Sequence, residues 1–147
     1  MLNPITQIVQ FNKEAGLIDK GYDDFRESSF QIEEALEGFK VVELAHAVGS
    51  DSMSPKDLSR AILDLTIGTL PDVDRLDKAC DAVVFAIGSM AKLGLNTNQI
   101  TRSLNTVMLA NNQKLVGAGR DEFGKLRKPG EFVGPEAKLQ LILDERS

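Results

Sequence analysis

Apolar residues recur along the chain at the three- and four-residue steps of an α-helix, and no stretch keeps up the two-residue alternation of a strand. Asn3-Pro4 opens a helix that Gly16 ends, with Ile5, Ile8, Val9 and Phe11 as its apolar side. A turn-like stretch from Asp19 to Asp24 leads into a long helix from Asp24 to about Val48, stopped by Gly49-Ser50-Asp51-Ser52. Ser54-Pro55 caps a shorter helix to about Ile67, and Gly68-Thr69-Leu70-Pro71 breaks the chain again. A second long helix runs from Pro71 to Leu93 and closes at Gly94. A fifth runs from Thr97 to about Val116, and a short last one from Pro135 to Glu145. Between them, 117–135 is rich in Gly and Pro and carries Arg120, Lys125, Arg127 and Lys128, a basic loop rather than a helix. The expected architecture is all-α: one domain over 1–147, a bundle of about five helices plus the short C-terminal one, with the two long helices as its core.

Composition changes this picture little. The 147 residues suffice for one buried core, and seven Phe, one Tyr and no Trp suit helices better than a β-sandwich. A formal net charge of −5 and the lack of a basic helix face argue against a nucleic-acid partner. A nucleotide substrate stays open, because bound cations can meet its phosphates. The single cysteine, Cys80, allows no internal disulfide and points to a reducing, cytoplasmic setting. The start, MLNPITQIVQF, shows no secretory pattern, and no apolar run reaches the ~20 residues of a membrane span. Both long helices have more than one apolar face and few other elements to cover them, so a homo-oligomer is expected, a dimer or a dimer of dimers.

Two acidic stripes are the candidate chemistry. Glu33, Glu34 and Glu37 span roughly a third of a helix circumference at about 100° per residue. Phe30 precedes them and Val41, Leu44 and Val48 follow on the same stripe, so the glutamates are expected to point inward or into a cleft. Asp74, Asp77 and Asp81 form the second stripe, with Asp77 inside the apolar arc of Leu76, Cys80 and Ile87. Asp74 also sits in its helix's first turn, where it can serve the helix dipole alone. Like charges gathered in a bundle call for a cation, and oxygen ligands suit Mg²⁺, with Mn²⁺ as a substitute. The alternative is that both stripes are solvated faces. The only histidine, His46, lies away from the acidic stripe, which disfavours the Glu-x-x-His pattern of di-iron bundles. Cys80 reads as core packing. Asn111 and Lys114, one turn apart, could hold a sugar or base and a phosphate, or be ordinary exposed polar residues. The loop containing Lys125 and Lys128 could close over an anion or be a solvated tail.

Taken in order, these residues resemble a known family. Glu33-Glu34-x-x-Glu37, then Asp77-x-x-x-Asp81 followed by Val83-Val84-Phe85-Ala86-Ile87-Gly88, resembles the MazG-like superfamily of all-α nucleotide pyrophosphohydrolases. Gly94-Leu95, Val107-x-x-Ala110-Asn111-x-x-Lys114-Leu115, Gly124-Lys125-x-x-Lys128-Pro129 and Phe132-x-Gly134-Pro135-Glu136 resemble its phosphoribosyl-ATP pyrophosphohydrolase-like branch. The resemblance runs from about Phe30 to Leu143. It implies hydrolysis of a nucleoside triphosphate, often a deoxynucleotide, to the monophosphate and pyrophosphate. It implies Mg²⁺ on Glu34, Glu37, Asp81 and Asp77, with Glu33 as a further ligand or as the group that orients or deprotonates the attacking water. Lys114, Lys125 and Lys128 would steady phosphates, and Asn111 the nucleoside. One departure stands out: many members carry Glu three residues before the aspartate matching Asp81, and here that position is Lys78. The neighbouring activities are the phosphoribosyl-ATP step of histidine biosynthesis and a non-catalytic binding bundle, which Lys78 favours.

Overall fold

The computed structural model of the chain describes residues 3–36, 54–64, 68–117, 119–122 and 124–146. Among them it has six α-helices and no strand: α1 (Pro4–Glu14), α2 (Asp24–Leu36), α3 (Pro55–Asp64), α4 (Asp72–Lys92), α5 (Thr97–Asn112) and α6 (Glu136–Asp144). The chain is all-α. Short 3-10 turns at Ile18–Lys20 and Gln113–Leu115 extend the ends of its connections. The parts of the expected helices that follow Leu36 and Asp64 lie outside the described residues. No single described helix is long and apolar enough to cross a membrane.

The helix ends follow from local chemistry. The Asn3 side chain accepts from the Ile5 N–H at 2.9 Å, with Pro4 in the first turn. Asp23 accepts from the Arg26 N–H at 2.6 Å, at the start of α2. At the start of α3 the Ser54 hydroxyl donates to Asp57 at 2.7 Å and accepts from the Asp57 N–H at 3.1 Å. That hydroxyl holds the Asp57 carboxyl below its usual pKa. Asn96 and Gln99 form a reciprocal capping box on α5, each side chain accepting from the other's backbone N–H, at 3.0 and 2.9 Å. Gly94 (φ +87°) ends α4: its N–H donates to the Ala91 carbonyl and that of Leu95 to the Met90 carbonyl. This is a Schellman closure, which needs the left-handed residue that glycine supplies most easily.

The chain divides into two compact units, Met1–Gly21 with Arg75–Ser147, and Tyr22–Asp74. In the second, α2 packs on α3, with Leu58 1% exposed and Leu63 also buried. Ser29 and Ser59 are buried there too, and each hydroxyl donates to a carbonyl of its own helix, those of Arg26 and Lys56. Their polarity is thus satisfied locally. In the first unit α1 and α6 both pack on α5, around Met108 (5% exposed), Ala110 and Ile142 (4%). The expected central role of the second long helix is not what is seen. No residue of α4 is buried, and the centre of its unit is α5. Helical period reveals that a face can be buried, but not which element will cover it. The C-terminal end of α4 reaches an apolar cavity of about 210 Å³, where Met90 and Leu93 meet Leu95, Leu104, Val107 and Leu139.

Candidate functional site

The described residues of 117–135 form a shaped turn. The Asp121 N–H donates to the Lys125 carbonyl and the Arg127 N–H to the Gly119 carbonyl, closing a hairpin-like bridge between Arg120 and Leu126. Gly119 and Gly124 take positive φ within it. The Arg120 guanidinium donates to the Gly124 carbonyl at 2.8 Å and to the Ala15 carbonyl, fastening the turn to the end of α1. The Asp121 carboxylate accepts from the Lys125 N–H at 2.9 Å. Lys125, one of the expected phosphate-binding residues, therefore sits within the turn itself.

Beyond the turn the chain returns to the end of α5. Gln113 holds it by two bonds to one residue: its side-chain oxygen accepts from the Val133 N–H at 2.9 Å, and its amide donates to the Val133 carbonyl at 2.8 Å. This tether sets Phe132 beside the last turn of α5. The Lys114 ammonium lies 5.7 Å from the centre of the Phe132 ring and the Lys128 ammonium 5.1 Å from it. Lys114 also donates to the Asn111 side-chain oxygen at 2.7 Å. Three of the four expected substrate-binding residues, Asn111, Lys114 and Lys128, thus belong to one cluster. Each cation–ring contact is worth about 0.5–1 kcal/mol at an exposed position.

Alongside is a groove of about 310 Å³ between α5 and the segment leading into α6, whose lining includes Thr106, Leu109, Gln113, Gly134 and Lys138. Phe132 and Gln113 carry the geometry, yet neither stood out as a functional residue in the sequence. The signal available for Phe132 was its place in Phe132-x-Gly134-Pro135.

The carboxylates are distributed differently. Glu33 is half-buried and Glu34 exposed on α2, and Glu37 lies outside the described residues. Asp77 and Asp81 are exposed, one turn apart on α4, and Asp74 is exposed in that helix's first turn. The inward orientation expected of the glutamates is not found at Glu34, and Asp77, expected inside an apolar arc, is exposed. The apolar arc of α4 that was to enclose Asp77 is itself exposed, Cys80 included. Glu33 and Glu34 belong to one compact unit, Asp77 and Asp81 to the other. Among the described residues no three His, Cys, Asp or Glu side chains form a metal-binding group. Asp77 and Asp81, one turn apart in the same unit, present exposed carboxylate oxygens, a donor type that suits Mg²⁺ or Mn²⁺. No family model, curated protein or solved structure matches the chain.

Proposed function

We propose that this chain is a Mg²⁺-dependent pyrophosphohydrolase of the MazG-like kind, cleaving nucleoside or deoxynucleoside triphosphates to the monophosphate and pyrophosphate. The observation that carries the reading is the gathering of Asn111, Lys114 and Lys128 around the Phe132 ring. Two cations, an amide and an aromatic face within one cluster match the phosphates, sugar and base of a nucleotide. Mg²⁺, held by Glu34, Glu37, Asp77 and Asp81, would supply charge neutralisation on the phosphates and a more acidic water. Lys114 and Lys128 hold phosphate oxygens, with Lys125 approaching from the turn. Asn111 orients the nucleoside. Glu33 takes the proton of the water that attacks the α-phosphorus, whose new bond to oxygen forms as the bond to the bridging oxygen of pyrophosphate breaks. The active form is a homo-oligomer.

A second reading, a bundle that binds nucleotide without cleaving it, draws on the exposure of Glu34, Asp77 and Asp81 and on Lys78. One experiment separates the two. The purified chain is assayed for pyrophosphate release from a panel of NTPs, dNTPs and phosphoribosyl-ATP, with Mg²⁺, with Mn²⁺ and with excess EDTA. Turnover should need the metal, and Glu37→Ala or Asp81→Ala should abolish it while the fold remains. Asp77→Asn should abolish it too, whereas Lys78→Ala should do little. Lys114→Ala should raise KM about tenfold or more, the loss of a charge-assisted hydrogen bond. Nucleotide binding without release of pyrophosphate from any substrate would select the second reading. Turnover in EDTA would reject the carboxylate site.

A further inference from the structure

The 3-10 turn Gln113–Leu115 closes α5, and the Gln113 N–H donates to the Ala110 and Asn111 carbonyls. The Gln113 backbone is thus part of the helix end, and its side chain starts from a fixed point. That side chain reaches across 20 residues of sequence to bond both main-chain groups of Val133, at 2.8 and 2.9 Å. A carboxamide sets a donor and an acceptor side by side, as a peptide unit does, so Gln113 grips Val133 much as a neighbouring strand would. The grip ignores the Val133 side chain, which is 69% exposed. One residue earlier, the Phe132 N–H donates to the Pro129 carbonyl at 3.1 Å and closes a turn that begins beside Lys128. Gln113 holds Val133, the turn holds Lys128 near Phe132, and Lys114, next to Gln113, lies over the same ring as Lys128.

We propose that Gln113 is a positioning residue: its carboxamide fixes Phe132 and Lys128 against Lys114 before a nucleotide arrives. The inference rests on the nucleotide reading of that cluster. Lys128 and Phe132 lie outside any helix, and such a stretch, left untethered, has to be ordered at each binding event. Its other fixed points are the bonds of Arg120 to the Gly124 and Ala15 carbonyls on one side and the start of α6, packed on α5, on the other. Gln113 supplies the fastening between them. With the grip in place the ordering is already done. Without it only a fraction of the molecules presents Lys128 beside Lys114, and the apparent Kd rises by the inverse of that fraction. Saturating substrate restores the arrangement, so kcat holds while KM rises. Gln113 acts through Lys128 and Phe132, since its own carboxamide is turned to the Val133 main chain.

Gln113→Met keeps the length of the side chain and removes both bonds. Binding of α,β-methylene-ATP and its deoxy counterpart, which resist cleavage at the α-phosphorus, is measured by calorimetry on the full chain with Mg²⁺. Kd should rise about tenfold in Gln113→Met, and by no more than about twofold in Val133→Ala, which leaves the gripped main chain in place. Lys128→Ala should weaken binding in the wild-type chain but add little in Gln113→Met, because both changes remove the same contact. With cleavable nucleotides, KM should follow Kd at constant kcat, whereas a purely structural role would lower Tm and the active fraction and leave KM alone. A second readout needs no nucleotide. In a chain with carbon-13-labelled lysine, the Lys128 Hε signals should lie upfield under the Phe132 ring, and should lose that shift in Gln113→Met as they do in Phe132→Leu. If the wild-type chain binds neither analogue, the nucleotide reading fails and the proposal falls with it. If the wild-type chain binds and Gln113→Met binds equally well, or if Lys128 keeps its ring shift in Gln113→Met, the proposal alone is overturned.

Discussion

Helices α4 and α5 follow one another in sequence, separated by the Gly94 closure, and both show the apolar period of a helix with a buried face. Their surroundings differ. α5 buries Gln99, Ser103, Met108 and Ala110, with α1 and α6 packed against it. α4 buries nothing, although it is the longer helix and carries Leu76, Val83, Val84, Phe85 and Ile87. Amphipathic period is a property of one helix, while burial is a property of at least two. For α5 the partners are in the same chain. For α4 the stripe by itself names no partner.

The largest difference between the two helices should appear in stability. Met108→Ala and Ile142→Ala each remove a side chain from the packed centre and should cost about 2–5 kcal/mol by urea denaturation. Phe85→Ala deletes a bulkier side chain from an exposed position of α4 and should change stability by no more than about 0.5 kcal/mol. A loss at Phe85 equal to that at Ile142 would show that the outer face of α4 is packed in solution, and the contrast would fail.

Much of the helical framework was legible because its punctuation is local. Asn3-Pro4, Ser54-Pro55 and Gly94 act within one turn of themselves, and the observed ends of α1, the start of α3 and the end of α4 fall within a few residues of the sequence reading. The identity of the central helix was not legible, since α4 and α5 present the same period. In the candidate site, Asn111 and Lys114 could be paired in advance because three residues of helix fix their relation. Lys128 could not, because it joins them through the Gln113–Val133 tether and the Phe132 ring, contacts between residues far apart in sequence. The acidic stripes divide in the same way. The spacing within each is helical geometry, whereas the burial expected around Asp77 rested on Leu76, Cys80 and Ile87, which are exposed.

A second, smaller effect follows from how α5 begins. Its reciprocal Asn96–Gln99 box satisfies backbone donors that the helix cannot satisfy itself, and Gln99 is buried in doing so. Asn96→Ala should lower stability by about 1 kcal/mol, and Asn96→Gly by only a few tenths. The Schellman closure makes the same test at the other end of the connection. Gly94→Ala forces a side chain into left-handed backbone and should cost about 1–2 kcal/mol. Equal and negligible losses at both positions would mean that the connection between α4 and α5 is held by packing and not by its caps.

The smallest effect concerns the ionic clasp that fixes α6 to α5 and has its pH dependence built in. Arg102 donates to both oxygens of Glu145, at 2.5 and 2.8 Å. The hydrogen bond from Arg102 holds the Glu145 carboxyl below its usual pKa, and the same bond raises that of Arg102. A carboxyl whose folded pKa is depressed contributes stability above its unfolded pKa and loses it as pH falls through the folded value. For Glu145 that window starts at the ordinary carboxylate value of about 4.3 and extends downward. Both groups are solvent-exposed, so screening keeps the contribution small and salt should shrink it further. Glu145→Gln should therefore lower Tm slightly at neutral pH and low salt, and the gap from wild type should close in strong acid or in high salt. Ser89→Ala, at an exposed position of α4, should show neither dependence. A gap at Glu145→Gln that is as wide at pH 2 as at pH 7 would show that the clasp acts through packing of its side chains and not through the charge of Glu145.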